Sequence, residues 1–82
     1  MKLLGAEKND FTTTSGEKIT GFNCFFSRPI DTNRGKGVAV ERIYVSDAKL
    51  AANGFDPLAN VGKDVAVLYN RYGKVARIAV DG

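Results

Sequence analysis

Residues 31–44 read DTNRGKGVAVERIY, a turn-rich basic loop that runs directly into a strand. In the loop, Arg34 and Lys36 alternate with glycines, which allow tight turns. Because successive side chains on a strand point to opposite faces, one face of this strand carries Val38, Val40, Arg42 and Tyr44. The opposite face is largely apolar. We call residues 31–45 the wing.

Two interpretations of the wing stay open. Cations bind phosphates and aromatic rings stack on bases, so a basic loop beside such a face is typical of a nucleic-acid-binding surface. The alternative is an ordinary hairpin with a solvated tip, because short motifs of this kind also arise by chance.

The size and charge of the chain are those of a small basic domain. Its 82 residues predict one domain over residues 1–82, and twelve Lys and Arg against nine Asp and Glu give a formal charge of +3. This charge permits a nucleic-acid partner but does not require one. Cys24 is the single cysteine, and no apolar run is long enough for a membrane span or a signal peptide. We therefore expect a cytoplasmic protein without a membrane partner.

Four further strands and one helix are predicted outside the wing. With the wing strand, the predicted strands cover residues 2–13, 18–28, 38–45, 63–70 and 74–80. Gly5 predicts a bulge in the first strand. A helix over residues 48–52 should be capped by Ser46 or Asp47 and end at Gly54. The core is expected to contain Phe11, Phe22, Cys24 and Phe26, with Ile19 and Phe25 on the opposite face.

This order of elements predicts an all-β domain, a five-stranded antiparallel OB-like Greek-key barrel with one short helix between strands three and four. Five strands in so short a chain would leave open edges unless the sheet closed, which favours a barrel. A small SH3-like barrel is the main alternative. The thin core of such a small domain favours dimerisation.

The composition argues against catalysis. The chain has no histidine, the side chain that most often serves as general base near neutral pH. Its carboxylates are scattered singly, and it contains no glycine-rich phosphate-binding motif. We predict that it is not an enzyme and has neither a metal site nor a cofactor.

A second candidate site lies in the turn of the last hairpin. Tyr72 stands there between Arg71 and Lys74, with Gly73 suited to a left-handed position. A ring at a hairpin tip among cations suits stacking on a base, with phosphate contacts beside it. Alternatively, Tyr72 packs on a neighbouring subunit or folds back over the sheet. Tyr69 shares a face with two valines of its strand, so we expect its ring to be structural.

Three segments of the chain occur in an order known from one protein family. They are Phe11, Thr12, Thr13, Ser15 and Gly16; the wing from Arg34 onward; and the last hairpin from Tyr72 to Ile78. In these segments the chain resembles the small single-stranded DNA-binding, helix-destabilising proteins of filamentous phages. The resemblance implies an OB-like barrel, a two-fold homodimer and sequence-tolerant coating of single strands in phage or mobile-element DNA replication.

The resemblance also assigns roles to residues. Arg34 matches the family's wing arginine, Val40 its aliphatic contact and Tyr72 its hairpin aromatic, whereas Val38 stands where the wing would carry an aromatic. With the basic and aromatic neighbours, the nucleic-acid-binding set is Arg34, Lys36, Val38, Val40, Arg42, Tyr44, Arg71, Tyr72 and Lys74. An RNA-binding OB module and an SH3-like protein-interaction adaptor stay open as other functions, because stacking and phosphate contacts serve DNA and RNA alike.

Overall fold

The computed structural model describes residues 1–81 and consists mostly of β-strands, with one short helix. The strands are β1 (Lys2–Lys8), β2 (Phe11–Thr12), β3 (Lys18–Ile19), β4 (Gly21–Pro29), β5 (Val38–Ser46), β6 (Val65–Tyr69) and β7 (Val75–Val80), and the helix α1 (Asp47–Asn53) lies between β5 and β6. β1, β4 and β5 form an antiparallel sheet in that order, while β2–β3 and β6–β7 are two-stranded. The predicted class and the position of the helix are confirmed.

The first two predicted strands are each interrupted once, which corrects the prediction of two continuous strands. The interruptions face each other at Asn9, Asp10 and Thr20. Here the Asn9 N–H donates to the Gly21 carbonyl (2.9 Å) and the Gly21 N–H donates to the Asp10 carboxylate (3.4 Å). A short acidic side chain that bonds to the backbone competes with a regular ladder, so the hairpin turns a corner at this point. The bulge predicted at Gly5 is present, as a register shift between Leu3 and Gly5.

The sheets approach a closed arrangement on one side only. β1 meets the start of β6 through an isolated bridge between Lys2 and Asp64. The Leu3 N–H donates to the Lys63 carbonyl (3.0 Å). On the other side β5 is an edge strand, with no strand paired to its free edge within residues 1–81. The sheets are therefore open and antiparallel, and the predicted closed five-stranded barrel is not confirmed.

The core lies where the three-stranded sheet, α1 and the β6–β7 hairpin meet. It consists of the buried side chains of Leu3, Cys24, Phe26, Val45, Leu50, Phe55, Val65 and Ile78. The predictions for Cys24 and Phe26 are confirmed, and Phe22 packs against the cluster as a partly buried residue. Burial raises the pKa of the Cys24 thiol, so it stays neutral as a core side chain. The prediction for Phe11 is wrong: its ring is 45% exposed, because the corner before β2 carries it away from the core.

The helix forms where its caps predict it. The Ser46 hydroxyl accepts a hydrogen bond from the Lys49 N–H (3.3 Å), and Gly54 ends the helix in the left-handed conformation with a φ of 61°. Seven residues are too few for a stable isolated helix, so the buried Leu50 anchors it to the core. In the part of the chain that the structure describes, no helix has the length and apolar character needed to cross a membrane.

Candidate nucleic-acid interface

The wing projects from the body of the protein as a two-stranded arm. β1 begins opposite Ser27 of β4, whereas the pairing of β4 with β5 extends beyond that point to Pro29 and Val38. The molecule measures 46 × 27 × 25 Å, which agrees with a projecting arm. On the outer face of this arm, Val38 is 63% exposed and Val40 is 58% exposed. Both valines are therefore available for contact with a ligand.

The loop at the tip of the wing is ordered by its own hydrogen bonds. The Asp31 carbonyl accepts from the N–H groups of Arg34 (2.9 Å) and Gly35 (3.0 Å), and the Ile30 N–H donates to the Gly37 carbonyl (3.0 Å). Gly37 has a φ of 97°, which favours glycine at this position. The side chains of Arg34 and Lys36 are exposed, and neither forms an ion pair within residues 1–81. Both cations are free to bind phosphates.

The opposite face of the arm differs in its electrostatics. There Arg28 is paired with the carboxylate of Glu41 (2.5 Å). The positive charge on that face is thereby neutralised. The outer face, with Arg42 exposed and unpaired among the described residues, is the one suited to an anionic ligand.

Tyr44 is held in place at the base of the wing. Its hydroxyl donates to the Asn9 carbonyl (3.0 Å), its ring lies over Gly21, and its ring centroid is 5.7 Å from that of Phe11. Desolvation raises the pKa of Tyr44, with a smaller contribution from nearby carboxylates, so the phenol stays protonated and can donate. Tyr44 and Phe11 therefore form a fixed aromatic pair beside the exposed wing.

Gly21 should be intolerant of any side chain, because Tyr44 occupies the space. A Cβ at this position would lie 2.5 Å from the Val45 carbonyl oxygen and 2.6 Å from the Tyr44 hydroxyl oxygen. Gly21→Ala should displace the Tyr44 ring and lower the free energy of unfolding by about 1–2 kcal/mol, as overpacking does. Urea unfolding measures the loss. Gly5→Ala is the matched control, since its Cβ would meet only Phe25, at 4.0 Å; equal losses in the two variants would contradict the placement of Tyr44.

The tip of the last hairpin presents Tyr72 to solvent. The Asn70 side-chain oxygen accepts hydrogen bonds from the N–H groups of Tyr72 (2.9 Å) and Lys74 (3.1 Å). Gly73 has a φ of 76°, the left-handed position that the sequence predicts. The Tyr72 side chain is 72% exposed, and the Arg71 guanidinium lies 5.0 Å from its ring centroid. Tyr72 thus does not fold back over its own sheet.

A cleft separates the free edge of β5 from the β6–β7 hairpin. Its volume is about 610 Å³, and its lining includes Arg42, Tyr44, Lys49, Tyr69 and Lys74. A second hollow, of about 410 Å³, is also lined by Arg42 and Tyr44 and reaches Phe11. The structure therefore brings Arg42, Tyr44 and Lys74 together. Arg34, Lys36, Val38 and Val40 lie outward along the wing, and Arg71 and Tyr72 lie at the hairpin tip.

Three residues at these surfaces were not included in the predicted set. Phe11 was expected in the core, and Lys49 was not singled out. Tyr69 was expected to be structural, yet it is 47% exposed and lines the cleft. The pairing of β6 with β7 shifts register between Leu68 and Tyr69, with the extra residue, Ala76, on β7. Tyr69 is the last residue of β6, where the core no longer covers the strand. No sequence signal marks that shift.

A charged cluster joins the corner near Tyr44 to the helix. The Lys8 ammonium contacts the carboxylates of Asp47 (2.6 Å) and Asp10 (3.4 Å) and lies 5.0 Å from the ring centroid of Phe22. The hydrogen bond from Lys8 lowers the pKa of Asp47, to which Thr20 also contributes, and the same bond raises the pKa of Lys8. Lys8 is thus engaged in an internal contact, unlike the cations of the wing.

Comparison with known proteins finds no family, no curated protein and no solved structure that matches the chain. Within residues 1–81 no group of three or more His, Cys, Asp or Glu side chains is placed to hold a metal ion.

Proposed function

We propose that the protein is a non-enzymatic single-stranded DNA-binding protein that coats and protects unpaired strands during phage or mobile-element replication. The observation that carries this proposal is the exposed face of the wing, where the unpaired cations of the loop are followed along β5 by Val38, Val40 and Arg42 and then by the pair of Tyr44 with Phe11 of β2. From Val38 to Tyr44 this face runs roughly 20 Å, at about 3.3 Å per residue.

The chemistry of this face favours a flexible strand over a duplex. Arg34, Lys36 and Arg42 can track phosphates, while the rings of Phe11 and Tyr72 offer exposed surface for stacking. Bases stacked inside a duplex cannot reach such rings. Every base has a π-face, so binding of this kind tolerates any sequence. The protein requires no nucleotide hydrolysis, because it binds unpaired strands and so shifts the equilibrium away from the duplex by mass action.

We also propose that the fold is an OB-like barrel with one open seam. Two observations support this proposal. The strands before the helix can be grouped into three, followed by α1 and a final hairpin, and a bridge joins β1 to the residue before β6. In this grouping, β1 and β2 together correspond to the first strand of an OB-fold, and β3 and β4 together correspond to the second. Each of these two strands bends at the corner, and β5 corresponds to the third. A cytoplasmic location is part of the same proposal.

The proposal is tested by duplex melting. A protein that binds only unpaired strands should lower the melting temperature of an AT-rich DNA duplex as its concentration rises, measured by ultraviolet hyperchromicity. An equal mass of an unrelated protein that does not bind DNA serves as the control for non-specific effects. A raised melting temperature would show preference for the duplex and would overturn the proposal.

We further propose that the protein acts as a homodimer. Supporting this are the thin core of so small a domain and the partly exposed side chains of Ile19 and Phe25, which a second copy can cover while Val38, Val40 and Tyr72 stay free for the strand. If dissociation is coupled to unfolding, the thermal midpoint should rise with protein concentration. Differential scanning calorimetry over a hundredfold range of concentration measures it. A monomer in sedimentation at high micromolar concentration would contradict the dimer.

A further inference from the structure

The cleft between β5 and the β6–β7 hairpin has the charge pattern of an anion site. Arg42, Lys49 and Lys74 line it, and no carboxylate does. None of the three cations forms an ion pair anywhere in residues 1–81. Unpaired cations around a concave surface without acids favour a ligand that carries phosphate.

One wall of the cleft is a strand edge with unused backbone groups. Two hydrogen bonds at the ends of the β4–β5 pairing show which residues of β5 hydrogen-bond to β4. The Ile30 N–H donates to the Gly37 carbonyl (3.0 Å), and the Asp47 N–H donates to the Thr20 carbonyl (2.9 Å). The register between them is continuous, so odd-numbered residues of β5 pair with β4 and even-numbered ones point outward. Arg42 and Tyr44 therefore direct their N–H and C=O groups to the free edge, at the cleft.

The opposite wall supplies an aromatic ring. Tyr69 is 47% exposed there, and Gly73 places no side chain at the rim. A volume of about 610 Å³ is within the usual range for small-ligand sites. Donors and acceptors on one wall and a ring on the other suit a base, and the cations that line the cleft suit its phosphate.

We propose that this cleft is a binding site for a single nucleotide. Its base lies against Tyr69 and hydrogen-bonds to the backbone edge at Arg42 and Tyr44, and its phosphate is bound by Lys49 and Lys74. The inference rests on the proposed function only for the source of the nucleotide, a base unstacked from the bound strand. An extended acidic peptide is the alternative occupant of the strand edge, but Ser46 of that edge already caps α1, which leaves Arg42 and Tyr44 beside the free cations and the ring and suits one base better than a ladder.

The test is a titration of the ¹⁵N-labelled protein with thymidine monophosphate, followed by the amide resonances of Arg42 and Tyr44. Both should shift in a saturable manner. Lys49→Gln combined with Lys74→Gln should weaken binding at least about tenfold, because charge-assisted contacts to phosphate are lost. Lys18→Gln, an exposed lysine on β3, is the matched control and should leave the affinity unchanged. Tyr69→Leu should also weaken binding, and the two lysine changes give an independent readout if that variant folds poorly.

The outcomes separate this site from the wing. If a thymidine oligonucleotide binds but the monophosphate leaves Arg42 and Tyr44 unshifted, the cleft proposal is wrong while the proposed function stands. If the monophosphate shifts both amides but no oligonucleotide binds, the cleft stands and the proposed function fails. Equal weakening by Lys18→Gln would show general charge attraction and overturn the site. So would tighter binding of hexaglutamate at the same amides, which would assign the edge to a peptide.

Discussion

Phe26→Ala should lower the free energy of unfolding by about 3–5 kcal/mol, the usual cost of removing a large aromatic ring from a core. Phe26 has no exposed surface and lies between Leu3 of β1 and Glu41 of β5 in the central sheet. A small domain has only about 5–15 kcal/mol of stability in total, so the variant should be close to unfolding. Urea denaturation followed by circular dichroism measures the change.

The control is the same substitution at Phe11. This ring is 45% exposed, and its aromatic contact is the pair with Tyr44. Phe11→Ala should therefore cost about 1 kcal/mol or less. Equal destabilisation by the two substitutions would contradict the placement of Phe11 outside the core and of Phe26 within it.

Tyr72→Ala should weaken binding to single-stranded DNA by about 1–3 kcal/mol, the usual cost of losing one stacked base. The ring is 72% exposed, so its removal should leave the stability of the fold nearly unchanged. Because the ring is uncharged, the dependence of affinity on salt should also stay the same. Fluorescence anisotropy at several salt concentrations measures both quantities.

Arg34→Ala is the complementary variant. It removes one cation, so it should reduce the log–log salt slope by about 0.7 as well as the affinity. Gly73→Val should instead disturb folding, because Gly73 has a φ of 76° and a β-branched residue tolerates that conformation poorly. If Tyr72→Ala dissociates a dimer while the folded protein still binds DNA normally, then Tyr72 is a packing residue and only the wing stays as the proposed site.

Local features of the fold could be predicted from the sequence. Ser46 and Gly54 cap the helix through contacts within a few residues, so their signals do not depend on the rest of the chain. Alternation along β4 correctly placed Cys24 and Phe26 in the core, because that strand is regular and paired on both sides. The turn at Gly73 follows from the same kind of local rule.

Features that depend on the path of the chain in space could not be predicted. The position of the last hairpin across the cleft from β5 is set by how α1 and the core hold that hairpin, and no local residue pattern predicts it. The corner at Asn9 and Asp10 moves Phe11 out of the core, and Tyr69 lines the cleft because it lies at the end of β6, beyond the buried part of that strand. Arg42 and Lys74 were each predicted at a binding surface, but their common cleft follows only from the packing of distant elements.

The central claim is tested most directly by titrating labelled single-stranded DNA, RNA and duplex DNA of equal length at two salt concentrations. We predict that single-stranded DNA binds more tightly than the duplex, and that its affinity falls with salt by a log–log slope of about −0.7 for each phosphate contact. Tighter binding of RNA would assign the face to an RNA-binding module. Salt-independent binding, a preference for duplex or no binding at all would contradict single-stranded DNA binding and favour a protein-interaction adaptor.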